Sequence, residues 1–197
     1  MGKKNVVALL MLGGTVSRAW AELSPPLNEV DESLAVYRIQ SGYNSGFALG
    51  TQGSGVAYGR MLNSWLELSS RFAFAIYNNT DQYPGSLRID LTVGPTFNFP
   101  INDAGAVEAI FLTLGAGLNY SRLNSISIPG TDYATNAQAA TSFAYDLELG
   151  KRFLVVANFS WKPSISVSGF IGNDLFNGGL VSYPNYRIIP LRFAYLF

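Results

Sequence analysis

The chain has 197 residues, enough for one domain with a sizeable core, yet only 13% of them are charged against 48% hydrophobic and 14% aromatic. That charged share is about half the usual value for a soluble domain. There is no Cys and no His, which excludes disulfide stapling, thiol chemistry and the imidazole base on which most hydrolytic sites rely at neutral pH.

The first segment carries Lys3 and Lys4, an apolar run from Val6 to Val16, and the small-x-small ending Ala19, Trp20, Ala21. This is the pattern of a secretory signal cleaved after Ala21. The run is too short for a membrane anchor and Arg18 interrupts it. Loss of Lys3, Lys4 and Arg18 leaves 10 basic and 13 acidic side chains, a net charge of −3. No basic footprint for nucleic acid remains. Residues 22–33, ELSPPLNEVDES, are acidic and contain prolines, and read as a lead-in to the first strand.

Beyond residue 21 no stretch has the 18 or more uninterrupted apolar residues of a spanning helix. Period two dominates instead. In WLELSSRFAFAIY, Leu66, Leu68, Ser70, Phe72, Phe74 and Ile76 share one face, and Glu67, Ser69, Arg71, Ala73 and Ala75 share the other. The segments LRIDLTVGPTFNF, AIFLTLGAGLNY and TSFAYDLELGKRFLVV repeat the arrangement. Eight strands are predicted, at about 34–44, 47–61, 65–77, 87–99, 106–120, 139–157, 161–172 and 186–197, with a bulge in GTQGSG. Short connections at 62–64, 100–105 and 158–160 alternate with long ones at 78–86, 121–138 and 173–184.

An even number of antiparallel strands, short turns at one end and long loops at the other, predicts an all-β, closed, up-and-down transmembrane barrel. Closure matters, because an open edge in lipid strands backbone groups at several kcal/mol each. The apolar stripes then face hydrocarbon. By parity the lumen receives Arg38, Glu67, Arg71, Arg88, Asp90, Asp146, Glu148, Arg152, Lys162 and Arg192. Charges in so narrow a space must be paired, so the expected lumen is a salt-bridged plug. Trp65, Trp161, Phe97 and Phe99 are expected at a membrane interface.

The chain finishes RIIPLRFAYLF, with Ile189, Leu191, Phe193, Tyr195 and Phe197 at alternate positions. Here it resembles the small eight-stranded outer membrane barrels of Gram-negative bacteria, the OmpA-transmembrane-domain and OmpX type. Such chains commonly end on an aromatic that the barrel assembly machinery recognises, a role the resemblance implies for Phe193, Tyr195 and Phe197. Arg192 replaces the Gly often found there. The implied organisation is a signal peptide at 1–21, a periplasmic segment at 22–33 and the barrel at 34–197, surrounded by outer membrane lipid and lipopolysaccharide.

No cofactor or metal is implied. The Ser164, Ser166, Ser168 row lacks a base, Asp146 and Glu148 sit i and i+2 on one lumen face, and IGNDLFNGG offers only Asp174 to a calcium ion. An enzyme is not expected. The longest loop, residues 121–138, supplies Ile126, Ile128 and Tyr133 as contact candidates, with Arg122 near the lipopolysaccharide phosphates. The expected role is structural, adhesive or surface-interacting. Two alternatives stay open: a narrow, porin-like channel for water, ions or small solutes, and a secreted lipocalin-like carrier with its greasy face inward.

Overall fold

The computed structural model describes residues 27–40, 46–48, 55–77, 85–103, 105–127, 134–156, 158–173, 180–182 and 184–197. In chain order the strands are β1 (Leu27–Gln40), β2 (Gly46–Ala48), β3 (Val56–Met61), β4 (Leu66–Tyr77), β5 (Ser86–Pro100), β6 (Ala109–Leu123), β7 (Ile126–Ser127) and β8 (Ala134–Thr135). They continue as β9 (Gln138–Lys151), β10 (Phe153–Val156), β11 (Phe159–Trp161), β12 (Ser164–Asn173), β13 (Leu180–Ser182) and β14 (Asn185–Leu196).

Antiparallel pairing runs β1–β3–β4–β5–β6–β9–β12–β14, and β14 returns to β1. The sheet is therefore a closed ring of eight walls, and the described part of the barrel has no free edge along that ring. β2 extends the second wall against β1, β10 continues β9, β11 precedes β12, and β7–β8 form a separate small hairpin beyond β6. Stepping from Leu196 through Glu29, Gly59, Ser69 and Gly94, across to Gly115 by the β5–β6 register that holds between Val93↔Ala116 and Thr96↔Thr113, and on through Asp146 and Ser168, leads back to β14 at Asn185, eleven residues away. A stagger of that size means steeply tilted strands, in the range of about 35–45° usual for barrels.

The expected single strands over 139–157 and 161–172 are interrupted at Arg152 and at Lys162–Pro163. Pro163 has no N–H to give a ladder. Its carbonyl still accepts from the Lys151 N–H at 3.1 Å, and the Arg152 N–H reaches Ala109 O at 2.8 Å. Side-chain parity passes through both breaks unchanged.

Two expectations are corrected. Residues 27–33 are not a lead-in, because β1 starts at Leu27 and pairs there with Met61. Leu27, Glu29, Asp31 and Ser33 are buried while Val30 and Leu34 are exposed, so the acidic residues already follow the wall's period. Ile189, expected among lipid-facing residues, is fully buried, whereas Ile188, Leu191 and Tyr195 are exposed. Pro190 lies at the slip, where the β1–β14 register shifts between Ala35↔Leu191 and Tyr37↔Ile188. A bulge there reverses the phase of everything before it on the strand.

The outer surface is apolar along every wall. Phe72, Phe74 and Ile76 on β4, Leu114 and Leu118 on β6, Phe143, Leu147 and Leu149 on β9, and Ile165 on β12 are all exposed. This orientation is the reverse of a soluble carrier's and removes the lipocalin-like alternative.

Candidate functional site: a ladder of ions in the lumen

Among the described residues, period-two alternation on the tilted walls brings ten ionised side chains together inside the barrel, and they connect end to end. Glu67 Oε2 lies 2.9 Å from Arg152 Nη2, whose Nε lies 3.0 Å from Glu29 Oε2. Glu29 also pairs with Lys162, which reaches Asp31 at 3.0 Å. Asp31 lies 2.7 Å from Arg192, and Arg192 pairs with Glu148. Glu148 pairs with Arg71, Arg71 with Asp146, and Asp146 Oδ1 lies 2.7 Å from Arg187. Five carboxylates alternate with five cations along the whole length.

Charge balance explains why the arrangement survives at such depth. Glu148 and Arg152 are completely buried, and Glu29 and Glu67 nearly so. Desolvating an ion costs several kcal/mol, which its neighbours offset only when each lone pair and N–H is used. Arg152 comes near this condition through its two Nη groups, while its Nε stands 3.0 Å from Glu29 Oε2 as an ion contact without hydrogen-bond geometry. Besides its two carboxylates it donates to Asn98 Oδ1 at 3.0 Å and to the Ala106 carbonyl. The ring of Phe111 lies 5.9 Å from its guanidinium carbon.

At the short-turn end, Ala106 and Val107 of the 3-10 turn Gly105–Val107 pack with Leu27, Met61 and Leu196, and Leu154 lies against them. Gly105 has φ +67, a backbone position costly for residues with a Cβ. The turn thus folds inward, and Arg152 ties it to the first rung of the ladder. The chain's last residue is held in register, with the Asn28 N–H donating to Phe197 O at 2.8 Å and the Phe197 N–H to Asn28 O at 2.9 Å.

The wall opposite the ladder is small and hydroxylated. Ser69 and Thr96 hydroxyls lie 2.6 Å apart, and Thr96 and Thr113 hydroxyls 2.7 Å apart. Between this wall and the ions remains a cavity of about 20 Å³ lined by Gly59, Ser69, Arg71, Thr96 and Gly115, which holds on the order of one water. Gly59 is indispensable to the packing, because a Cβ there would sit 1.9 Å from Glu67 Oε1. Gly59→Ala is therefore expected to cost about 1–3 kcal/mol by displacing that carboxylate from Arg152, and the midpoint of urea unfolding in detergent micelles measures it. An unchanged midpoint would mean Glu67 has an alternative seat.

Of the residues assigned to the lumen from sequence, Glu67, Arg71, Asp146, Glu148, Arg152, Lys162 and Arg192 lie in the ladder. Arg88 and Asp90 form a separate, partly exposed pair at 2.9 Å, where Asn119 donates to Asp90 at 2.6 Å and Arg88 covers the Phe170 ring. The side chains of Arg38 and Ile126, and all of Ile128, Tyr133 and Asp174, lie outside the described residues. Sequence reasoning missed Glu29 and Asp31, read as part of a solvated segment, and Arg187, turned outward by a phase counted without the Pro190 slip.

Among the aromatics, Trp65 and Phe99 are exposed beside the short turns and Phe97 is half-buried. Trp161 has a more specific task. Its Nε1–H donates to the Pro190 carbonyl at 2.7 Å while its ring stacks on Phe153 at 5.1 Å, so it caps the bulge in β14. Phe193 stacks on Phe159, and Tyr195 and Phe197 are exposed. In the serine row, Ser166 Oγ accepts from Arg187 Nε at 2.8 Å, which gives it a place in the network.

No family model matches the chain, and no curated protein does. Solved structures do. Ail, the attachment invasion locus protein of Yersinia pestis, is 16% identical, with 87% of this chain and 97% of that one covered at a TM-score of 0.49. Ail in complex with the heparin analogue sucrose octasulfate gives 18% identity over the same shares at 0.47. The N-terminal β-barrel domain of Pseudomonas aeruginosa OprF gives 13% identity, 89% and 100% coverage, and 0.46. The likeness is one of architecture at low identity, and the closed ring rests on this chain's own strand pairing.

Proposed function

We propose that this chain is an integral protein of the bacterial outer membrane, with a structural, adhesive or surface-interacting role exerted through its long loops. The observation that carries the reading is the inside-out chemistry of a closed ring, with exposed Leu, Ile and Phe on the walls and paired ions within. Such a surface is soluble only in hydrocarbon. The lumen, filled by the ladder and by the inward 3-10 turn, is an occluded plug, which leaves the loop end as the surface offered to other molecules.

Three outcomes are expected. The protein resists extraction by high salt and needs detergent; it migrates differently unheated and boiled; and planar-bilayer recordings show no large steady conductance. Release by osmotic shock would sink the membrane reading, and reproducible channels would sink the plug. Deletion of residues 126–137 tests the loop role, since unchanged surface attachment by cells carrying that variant argues against it. The hydroxyl row beside the cavity favours the second reading, a narrow water or ion path, and the same recordings decide it.

A further inference from the structure

The closing seam of the ring, β1 against β14, lacks a constraint that the other seven pairings have. Those join strands that follow one another around the ring in chain order, so the segment between them limits their register, whereas β1 and β14 come from opposite ends of the barrel sequence. Period two does not supply the missing information. It fixes the face a residue takes and is blind to a slip of two, which keeps every side chain on its own side. Such a slip yields another closed barrel, of different shear.

The outer face of the seam is equally permissive. Val30 stands opposite Tyr195, and a slip of two would set it opposite Phe193 or Phe197, an aromatic ring in either case. The regular run is short as well, from Glu29↔Leu196 to Ser33↔Arg192, before the register shifts at Ala35. The inner face is different. There β1 presents Leu27, Glu29, Asp31 and Ser33, all buried, in the order apolar, acid, acid, hydroxyl. Three cations read that order. Arg152 and Lys162 hold Glu29, and Lys162 also reaches Asp31. Arg192 grips Asp31 across the seam itself, donating from Nε at 2.8 Å and from Nη2 at 2.7 Å.

A slip of two in either direction breaks this fit. With Val30 opposite Phe197, Ser33 stands where Asp31 stood and Arg192 loses its two-pronged partner. With Val30 opposite Phe193, Leu27 leaves its cluster with Met61 and Leu196 and stands where Glu29 stood, beside Arg152 and Lys162. A buried cation deprived of its carboxylate is costly, so the lumen separates three alignments that the outer face does not.

We propose that Glu29 and Asp31 are the register key of barrel closure: the order in which β1 presents them to Arg152, Lys162 and Arg192 selects one alignment of the first strand on the last. Other ions of the ladder stabilise the barrel without choosing its alignment.

The chain has no Cys, so a cysteine pair reports the alignment without background. Directly opposed residues lie within disulfide reach, and residues two positions off, about 8 Å apart, do not. In full-length protein folded into phospholipid vesicles under thiol exchange, Val30→Cys with Tyr195→Cys is expected to bridge at least tenfold more than Val30→Cys with Phe193→Cys or with Phe197→Cys. Moving the key two residues along β1, by Glu29→Leu, Asp31→Glu and Ser33→Asp together, should make the bridge to Phe197→Cys the predominant one. Asp31→Ser alone should lower the preference for Tyr195→Cys at least threefold. Arg71→Met removes a ladder cation that contacts neither acid of β1, and should lower the unfolding midpoint while leaving the preference intact. The heat-dependent gel shift of each variant shows that it is folded, and where the moved key does not fold, Asp31→Ser decides. Equal bridging of the three pairs in the natural chain, a folded moved-key variant still bridged at Tyr195→Cys, an unaltered preference after Asp31→Ser, or the same loss of preference from Arg71→Met would each overturn the proposal.

Discussion

Replacing Arg152 by Met is expected to destabilise the folded barrel by about 3–5 kcal/mol, the cost of breaking a buried ion pair from one side. The residue is fully buried and serves four partners at once: Glu29, Glu67, Asn98 and the Ala106 carbonyl. Met fills much of the volume but leaves two carboxylates sharing Lys162 as the remaining cation nearby. Guanidinium unfolding in micelles, followed by Trp fluorescence, measures the loss. Arg152→Lys retains the charge without the planar fork and should fall between. The decisive control is Arg152→Met combined with Glu67→Gln, which removes one orphaned charge and should recover part of the loss. An Arg152→Met protein within 1 kcal/mol of the natural chain would show that the ladder is filled with water that screens it.

The ladder also shows which parts of the molecule the sequence makes legible. Period two is a consequence of strand geometry alone, so Leu66 to Ile76, or Phe143 to Leu149, declare their outward face before any neighbour is known. The lumen residues on the same strands, Glu67, Asp146 and Glu148, follow by elimination. What alternation does not encode is a local exception to it. The slip at Pro190 is invisible to a count of two, and it hid Arg187 and misplaced Ile189. The start of β1 was obscured for another reason. Glu29 and Asp31 look solvated until Arg152, Lys162 and Arg192, more than a hundred residues later, are known to meet them. Six cations against four acids, as parity alone gave, is an imbalance that a buried site does not tolerate, and the missing acids had to be somewhere on an adjacent wall.

The walls divide the work. β1, β4, β9 and β14 supply eight of the ten ladder ions, and Arg152 and Lys162 sit at the breaks beside β10 and β11, while β3, β5 and β6 contribute Gly59, Gly94, Thr96, Thr113 and Gly115 to make room for them.

Leu147→Arg is the substitution that tests the direction of the whole barrel, because Leu147 and Glu148 are sequence neighbours on opposite faces. Leu147 is 45% exposed on β9 and pairs with the exposed Leu114 of β6, in the middle of the apolar wall. An Arg at the bilayer midplane of such a wall costs about 2–4 kcal/mol, and the cost falls toward 0–1 kcal/mol near either interface. In phospholipid vesicles Leu147→Arg should therefore lose that much stability, whereas Ile110→Arg, one residue from the short-turn end of β6, should lose less than half of it. If water bathed this surface, replacing an exposed Leu with Arg would be neutral or would improve solubility. Equal stabilities at both positions would mean that the stripe is not in hydrocarbon, and a depth-dependent loss places this wall against lipid by a measurement independent of extraction.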